Sequence, residues 1–308
     1  MSKKKSGCVK KTVLLSGATG FLGSHLLSAL LEEGHRVVVL KRSTSSLLRI
    51  QRLMDEIVFY DIDKCELDDI FADECIEVVI HVATCYSREQ KNELDIIDTN
   101  IVLGISLLKH AVKYGVRIFI NTDTFFNTDN LLASHMHGYS LSKKQFIEWL
   151  KYFSFSGVSV VNMKIHHVYG PGDNSDKFIP WLRKSLINNS APVKLTRGIQ
   201  LRDFIYIDDV VSAFILALNT MDTGEKFKEY VVCTGVKTSV RDFSLELHRQ
   251  IIDKYDVNTE LVFGAVPTSS DEIMDVDNDC SSLVSMGWSH LSTINQGIKC
   301  FLDEREPL

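Results

Sequence analysis

"KTVLLSGATGFLGSHLL" runs from Lys11 to Leu27. Its first part, "KTVLLSG", is an aliphatic and β-branched run that reads as a buried strand. Leu26, Leu27, Leu30 and Leu31 then follow helical spacing as far as Gly34, a helix stop. Gly17, Gly20 and Gly23 lie between, behind a strand and at the opening of a helix. In that context glycines permit a tight turn and close approach by a pyrophosphate. The helix N-terminus supplies unpaired N–H groups and a favourable dipole. Gly17, Thr19, Gly20, Phe21 and Leu22 are therefore candidate cofactor contacts. A glycine-rich turn without a ligand is the plainer reading of the same residues.

Working outward, strand and helix alternate. "HRVVVLKR", "EIVFYDI", "EVVIHVAT", "VRIFINT" and "VSVVNMKIHHVYG" read as strands two to six. Continuous Val/Ile runs imply strands buried on both faces. Ile101, Ile105, Leu108 and Val112 mark a long helix ending near Gly115, and Tyr139 opens another whose buried side draws on Phe146, Trp149, Leu150 and Phe153. The pattern predicts an α/β protein with a Rossmann-type, doubly wound parallel sheet. Beyond Gly170 it loosens, with "VKLT", "RDFIYI", "YVVCTG" and "TELVFG" as short strands among helices. Residues 1–170 are expected to form a dinucleotide-binding domain and 171–308 a smaller α/β substrate region. "IDDVVSAFILAL" and "YVVCTG", near 204–235, are expected to return to the main sheet.

The chain has 308 residues and a net charge of −6, which argues against a general nucleic-acid footprint. The basic start "MSKKKSGCVKK" lacks a following signal-peptide apolar stretch, and no run approaches a membrane span. It reads as a solvated tail of a cytoplasmic protein. Seven scattered cysteines, odd in number and without a CxxC pair, fit reduced thiols. No metal site is expected: the adjacent His166 and His167 point to opposite faces of a strand, and His135 and His137 have no clear third ligand.

"GYSLSKKQF", Gly138–Phe146, places Tyr139 and Lys143 on one helix face at i,i+4. Tyrosine titrates near 10, too high for efficient acid–base work at neutral pH. A lysine one turn away favours the phenolate and is expected to lower that value. Lys144 is turned by about 100° and reads as surface.

The GxxGxxG spacing with "YxxxK" downstream resembles the extended short-chain dehydrogenase/reductase superfamily, the NAD-dependent epimerase/dehydratase family. "DI" at Asp61–Ile62, "HVAT" at 81–84, "TN" at Thr99–Asn100, "VYGPGDN", "RDFIYIDDVV" and "MGWSHLSTINQGI" follow in that family's order. The resemblance implies that Asp61 and Ile62 contact adenine. It implies that Val82, Ala83, Thr84, Asn100 and His166 line the cofactor, and that Tyr139 and Lys143 serve both cofactor and catalysis. Thr122, in "FINTDTFFN", lies where the family places a hydroxyl on the substrate oxygen. Asp123 and Thr124 follow it on the substrate side. Thr124 stands where sugar dehydratases carry a catalytic Glu and 3,5-epimerase/reductases a Cys, and Gly172 where the latter carry a His. The minimal Thr122, Tyr139 and Lys143 set remains.

The second strand ends in Lys41, Arg42 and Ser43 rather than in the acid that holds the ribose hydroxyls of NAD. Cations and a hydroxyl suit the 2′-phosphate of NADP, so NADPH is the expected cofactor. Two surface basic residues at a strand end are the alternative. Arg202 matches the family's diphosphate-binding arginine, and the alternative for it is an ion pair with Asp203 or Asp208. His167, Lys177, Phe178, Lys194 and Leu195 would complete a nucleotide-sugar pocket.

"ATCYSREQKNE", "KIHHVYGPGDNSDKF", "PVKLTRGIQLRDFIYIDDVVSAF" and "DEIMDVDNDCSSLVSMGW" resemble the reductases that form CDP-paratose or CDP-abequose. That resemblance implies NADPH-dependent reduction of the 4-keto group of a CDP-linked 3,6-dideoxyhexose, or of a dTDP-linked one, for lipopolysaccharide O-antigen. A 4-epimerase with tightly held NAD and a non-catalytic NADP-binding regulator are the competing readings. The family also implies a homodimer built on the helices of Asn100–Tyr114 and Tyr139–Phe153.

Overall fold

The structure, a computed structural model, describes residues 10–86, 92–127, 136–188, 191–220, 225–270 and 272–303. The basic tail, His135 and the end of "ATCYSREQKNE" lie outside the described residues. The chain divides into two compact units, one of residues 1–131, 135–164 and 211–230, the other of 132–134, 165–210 and 231–308.

In the first unit the elements are β1 (Thr12–Ser16), α1 (Phe21–Glu32), β2 (Arg36–Lys41), β3 (Val58–Asp61), α2 (Leu67–Glu74), β4 (Val78–His81), α3 (Glu93–Ile97), α4 (Leu103–Lys113), β5 (Ile118–Thr124), α5 (His137–Ser154) and β6 (Ser159–Ile165). The elements that follow β6 are β7 (His167–Tyr169), α6 (Phe178–Ile187), β8 (Val193–Leu195), β9 (Leu201–Arg202), β10 (Phe204–Tyr206), α7 (Ile207–Thr220), β11 (Phe227–Val232), β12 (Thr238–Ser239), α8 (Val240–Lys254), β13 (Leu261–Phe263), α9 (Ser281–Ser285) and α10 (Ile294–Asp303).

Seven strands form one sheet in the order β11-β6-β5-β4-β1-β2-β3. β1 pairs in parallel with β2 and β4, β2 with β3, and β4 with β5. The bonds from Val160 N to Lys226 O and from His166 N to Val232 O advance together, so β6 and β11 also run the same way. Strand order reverses between β1 and β4, the place where doubly wound sheets bind ligands. Val13, Leu14, Leu15, Val37, Val38 and Val39 are wholly buried, as continuous aliphatic strands require. On one face Ile70, Phe71, Leu107, Leu108, Phe146 and Leu150 pack against Val38, Val79 and Phe119 in one cluster. Gly104 on α4 lets the Phe146 ring of α5 come close: an added Cβ would lie 2.5 Å from Cε2 and nearer still to Cζ.

The structure differs from the sequence reading in four places. "VSVVNMKIHHVYG" is two strands, because the chain leaves the main sheet at His166 and β7 pairs with β10 instead. "RDFIYI" likewise splits at Asp203: β9 pairs antiparallel with β12, β10 parallel with β7. The long helix contains a π turn at Asp98–Val102, between α3 and α4. Trp149 is not on the buried side of α5. It is 43% exposed, beside Tyr152 at 63% and close in sequence to Phe155 at 73%, whereas Phe146 and Leu150 are buried.

The second unit is centred on aromatics. Phe204 stacks on Phe243 with centroids 4.1 Å apart, and Tyr169 sets its edge against Tyr206, Phe243 and Phe301. Here "VKLT" and "TELVFG" form the parallel pair β8 and β13.

Candidate active site

Gly17 adopts φ +77°, and an added Cβ would lie 2.5 Å from the Ala83 nitrogen. Only glycine brings this turn so close to the segment after β4. At Gly23 a Cβ would strike the Gly17 carbonyl and lie 2.7 Å from its carbon. Gly20 N donates to Gly17 O at 3.0 Å and Gly20 then caps α1, which has no side-chain cap and no acid in its first turn. The first N–H groups of α1, at Phe21 and Leu22, are thus open to an anion, with no competing carboxylate in the first turn. This cradle fits a dinucleotide pyrophosphate. Arg49, which the sequence reading passed over, donates Nη1 to Thr19 O at 3.4 Å and brings a cation onto the same loop.

At the ends of β2 and β3 the expected anion site is partly occupied from within. Lys41 Nζ donates to Asp61 Oδ2 at 3.2 Å, and Ser43 Oγ donates to the same oxygen at 2.8 Å. Ser43 N donates to Asp63 Oδ2 at 2.8 Å. The Ser43 bond foremost, and Lys41 after it, hold the Asp61 carboxyl down at about 2. Ile62 N donates to Lys41 O at 2.9 Å. Arg42 is exposed, and its guanidinium forms no ion pair among the described residues.

Tyr139 and Lys143 share one face of α5, buried to 5% and 3% exposure. Lys143 Nζ lies 6.0 Å from the Tyr139 ring centroid. It donates to Thr84 Oγ1 at 3.1 Å and to the Thr122 carbonyl at 2.8 Å. Burial lowers Lys143 to about 8, against an opposing pull from Asp123. Lys143 alone does not lower Tyr139. Burial foremost, then Tyr86, pushes the phenol well above its ordinary value, against a hydrogen bond from the Thr124 side chain. The ammonium spends its bonds on Thr84 and Thr122, and loss of hydration dominates. The phenol therefore stays protonated at neutral pH, the form that can donate. Lys144 is only partly exposed.

Thr122 Oγ1 is buried with no hydrogen-bond partner among the described residues. Such an orphan costs roughly 1–3 kcal/mol unless a ligand atom completes it. Strand alternation places Thr124 on the Thr122 face and Asp123 on the other, so Asp123 stands apart from the hydroxyl pair. Asn100 is bonded within the chain. Its amide accepts from Cys85 N at 2.7 Å and donates to Cys85 O and Ser142 Oγ, both at 2.9 Å. Ser142 Oγ in turn donates to the Tyr139 carbonyl at 2.7 Å, so Asn100 ties the segment after Val82 to α5. The Tyr86 ring lies 4.9 Å from that of Tyr139. An aromatic just past the end of β4, where such sheets bind ligands, was the available signal for it.

In the second unit Arg202 is 4% exposed. Its Nη1 donates to the carbonyls of Leu201 at 2.7 Å and Ile273 at 2.6 Å, and Nη2 pairs with Glu272. Neither Asp203 nor Asp208 takes that place: Asp203 accepts from Thr234 N, Thr234 Oγ1 and Asn278 Nδ2. Glu272 lies 70 positions away, with no local sequence signal. His167 is held well below its ordinary value by burial, and then by Arg202, His166 and Lys177. Lys177 Nζ pairs with Asp173 at 2.8 Å. His166 is buried, and its N–H donates to Val232 O at 3.1 Å. Phe178 opens α6, 37% exposed. Lys194 and Leu195 lie on β8, exposed and buried respectively. No group of three or more metal-ligating side chains occurs among the described residues, and none of their helices is long and apolar enough to cross a membrane.

Known proteins match this arrangement. CDP-abequose synthase of Salmonella typhimurium is 34% identical over 299 residues, 94% of this chain and 97% of that one. The CDP-abequose synthase of Salmonella muenchen is 33% identical over 301 residues, 97% and 99% of the two chains. The crystal structure of Thermotoga maritima UDP-glucose 4-epimerase with UDP-glucose superposes with a TM-score of 0.79 at 23% identity, covering 95% of this chain and 97% of that one. At that identity the likeness speaks for the fold. Residues 13–233 match the NAD dependent epimerase/dehydratase family, and with the cradle, the buried Tyr139–Lys143 pair and near full-length relatives, the chain belongs to that family of nicotinamide-dependent enzymes.

Proposed function

We propose that the chain reduces the 4-keto group of a CDP-linked 3,6-dideoxyhexose with NADPH, in the cytoplasmic assembly of bacterial O-antigen sugars. The observation that carries this reading is the buried Tyr139–Lys143 pair on α5 together with the orphaned Thr122 hydroxyl at the end of β5. It is supported by the near full-length likeness to CDP-abequose synthases. The glycine cradle would hold the pyrophosphate, Arg42 the 2′-phosphate and Lys143 the nicotinamide ribose. When bound, the reduced nicotinamide supplies the hydride. Thr122 Oγ1 orients the sugar O4, and Tyr139 passes its proton to that oxygen as charge develops. Lys143, still cationic below about pH 8, favours the phenolate left behind. In the second unit Arg202 and Lys177 are the cations for the sugar diphosphate, with His167, Phe178, Lys194 and Leu195 completing the nucleotide pocket.

One observation favours a second reading, a 4-epimerase with retained NAD: Asp61 already neutralises Lys41. The deciding experiment supplies NADPH with CDP- and dTDP-4-keto-6-deoxy sugars, including the 3,6-dideoxy form, and identifies the product by NMR. Stoichiometric NADPH oxidation with the CDP-3,6-dideoxy sugar supports reduction. Interconversion of C4 epimers without added cofactor overturns it. A second copy of the chain is the natural cover for Trp149, Tyr152 and Phe155. Light scattering at micromolar concentration is expected to give a dimer.

A further inference from the structure

Behind the catalytic face of β5 lies a buried polar chain that crosses three neighbouring strands. Asn121 Nδ2 donates to Asn162 Oδ1 at 2.7 Å. Asn162 Nδ2 donates to Asp123 Oδ2 at 3.2 Å and to Glu229 Oε2 at 2.8 Å. Asn127 Nδ2 reaches both Asp123 oxygens, at 3.3 and 3.2 Å. Glu229 is paired with Lys164 at 3.4 Å. Asp123 is 2% and Asn162 0% exposed, beside Ile118, Phe119, Ile120, Val160, Val161 and Met163 of the same strands. A buried carboxylate is costly in an apolar sheet, and simple packing would be served by valine.

We infer that Asp123 is a positioning residue rather than a substrate ligand: clamped by Asn162 and Asn127, it fixes the Thr122–Thr124 strand end to which Lys143 is anchored. Two geometric features carry this. The Asp123–Asn127 bonds close the turn in which Asn127 N donates to Thr124 O at 2.9 Å, so the carboxylate sets where both catalytic-face hydroxyls stand. Lys143 Nζ also donates to the Thr122 carbonyl, in the peptide unit that leads into Asp123, at 2.8 Å, so the same strand end anchors the lysine, and the carboxylate one residue on opposes the desolvation that lowers it. The charged or titratable groups around it are Lys143 and Tyr139 on α5, Lys164 on β6 and, through Asn162, Glu229 on β11. His81 on β4 feels Lys143 from the other side, and Tyr86 abuts Tyr139. Burial raises the Asp123 carboxyl itself, opposed by its bond from the Thr124 backbone and by the Lys143 charge, and among these groups it is the carboxyl that acts on Lys143.

This inference rests on the proposed reduction for its rate readout but not for its binding readout. Asp123→Asn removes the charge and keeps the shape; Asn162→Ala removes a clamp and keeps the charge. Both are expected to lower kcat by about 10- to 100-fold through misplacement, with KM for the sugar within about threefold. Only Asp123→Asn should move the alkaline limb of kcat/KM to lower pH, by a shift on the order of one unit. The pH dependence of NADPH or NADH binding, followed by nicotinamide fluorescence, should shift by the same amount, because Lys143 holds the ribose. That binding shift stands even if no 4-keto sugar is turned over, which separates failure of the inference from failure of the proposed reaction. Three results would overturn it: a binding midpoint unchanged in Asp123→Asn, a loss confined to sugar KM, or an equal shift in Asn162→Ala.

Discussion

Gly104→Ala tests how tightly α5 is seated. The new Cβ would lie 2.5 Å from Phe146 Cε2, whereas an ordinary carbon–carbon contact is about 3.5–4.0 Å. About 1 Å must be found. Phe146 is 1% exposed and enclosed by the core cluster, so its ring has little room to turn away. Two responses are open. If the ring adjusts in place, overpacking costs about 1–3 kcal/mol of stability. If α5 moves as a body, Tyr139, seven positions and about 10 Å along the same helix, moves with it. A displacement of about 1 Å at the reacting centre costs on the order of 100-fold in rate. The assay is kcat for NADPH oxidation beside the urea midpoint, for Gly104→Ala alone and with Phe146→Leu, which makes room. The expected result is a loss of stability, rate or both, largely restored in the double variant. A single variant with kcat within twofold of wild type and an unchanged midpoint refutes close packing as the device that seats the catalytic helix.

Arg42→Ala should weaken NADPH binding by about 1.5–3 kcal/mol, roughly 10- to 150-fold, and leave NADH nearly unchanged; equal losses would reject Arg42 as the 2′-phosphate ligand. Tyr139→Phe should lower kcat by about 10²- to 10⁴-fold with cofactor affinity kept within a few-fold, the usual contribution of a general acid; retention of a tenth of the rate would rule the phenol out as proton donor. In wild type, kcat/KM should fall above about pH 8 as Lys143 loses its charge, because the Tyr139 phenol titrates far higher; a limb at pH 10 would reject that assignment. His81, bonded to Ser16 Oγ at 2.7 Å, is held at about 3 by burial. Its unfolded form takes up a proton near 6.5, so stability should fall with decreasing pH from about 6.5 towards 3, by up to about 1.4 kcal/mol per unit. His35 and His167, also lowered by burial, act in the same sense. Urea midpoints at pH 7.5 and 5.0 should converge in part in His81→Gln, and an unchanged gap would contradict the linkage.

The parallel sheet was legible because buried strands must be continuous Val/Ile/Leu runs, and the cradle because three glycines stood between a strand and a helix. Trp149 was misplaced because helical spacing identifies an apolar stripe without saying whether the core or another surface covers it. Asp123 follows Thr122 in the motif that points to the substrate, while strand alternation sets it on the face opposite Thr122 and Thr124, where we place its role. Asn162, an amide in the middle of "VVNMKI", was the sequence signal for the polar chain behind β5. Glu272 and Arg49 carried none, since each meets its partner only through tertiary folding. The direction of the Tyr139 shift was also beyond the sequence, because burial competes with a nearby cation and only geometry ranks the two.

Helix α1 begins without a side-chain cap and without an acid in its first turn. With Gly20 at the cap, a Ser or Asp there would add only about a few tenths of a kcal/mol, and the open N–H groups of the first turn are left for a ligand to meet. A dinucleotide bound there would thus add to the fold as well as to the reaction. Because it binds the folded chain, it stabilises by an amount that grows with its concentration, about 2.7 kcal/mol at a hundredfold excess over Kd. Cellular dinucleotide supply would therefore set the lifetime of the enzyme against proteolysis as well as its rate, and a cell short of cofactor would lose the protein along with the reaction.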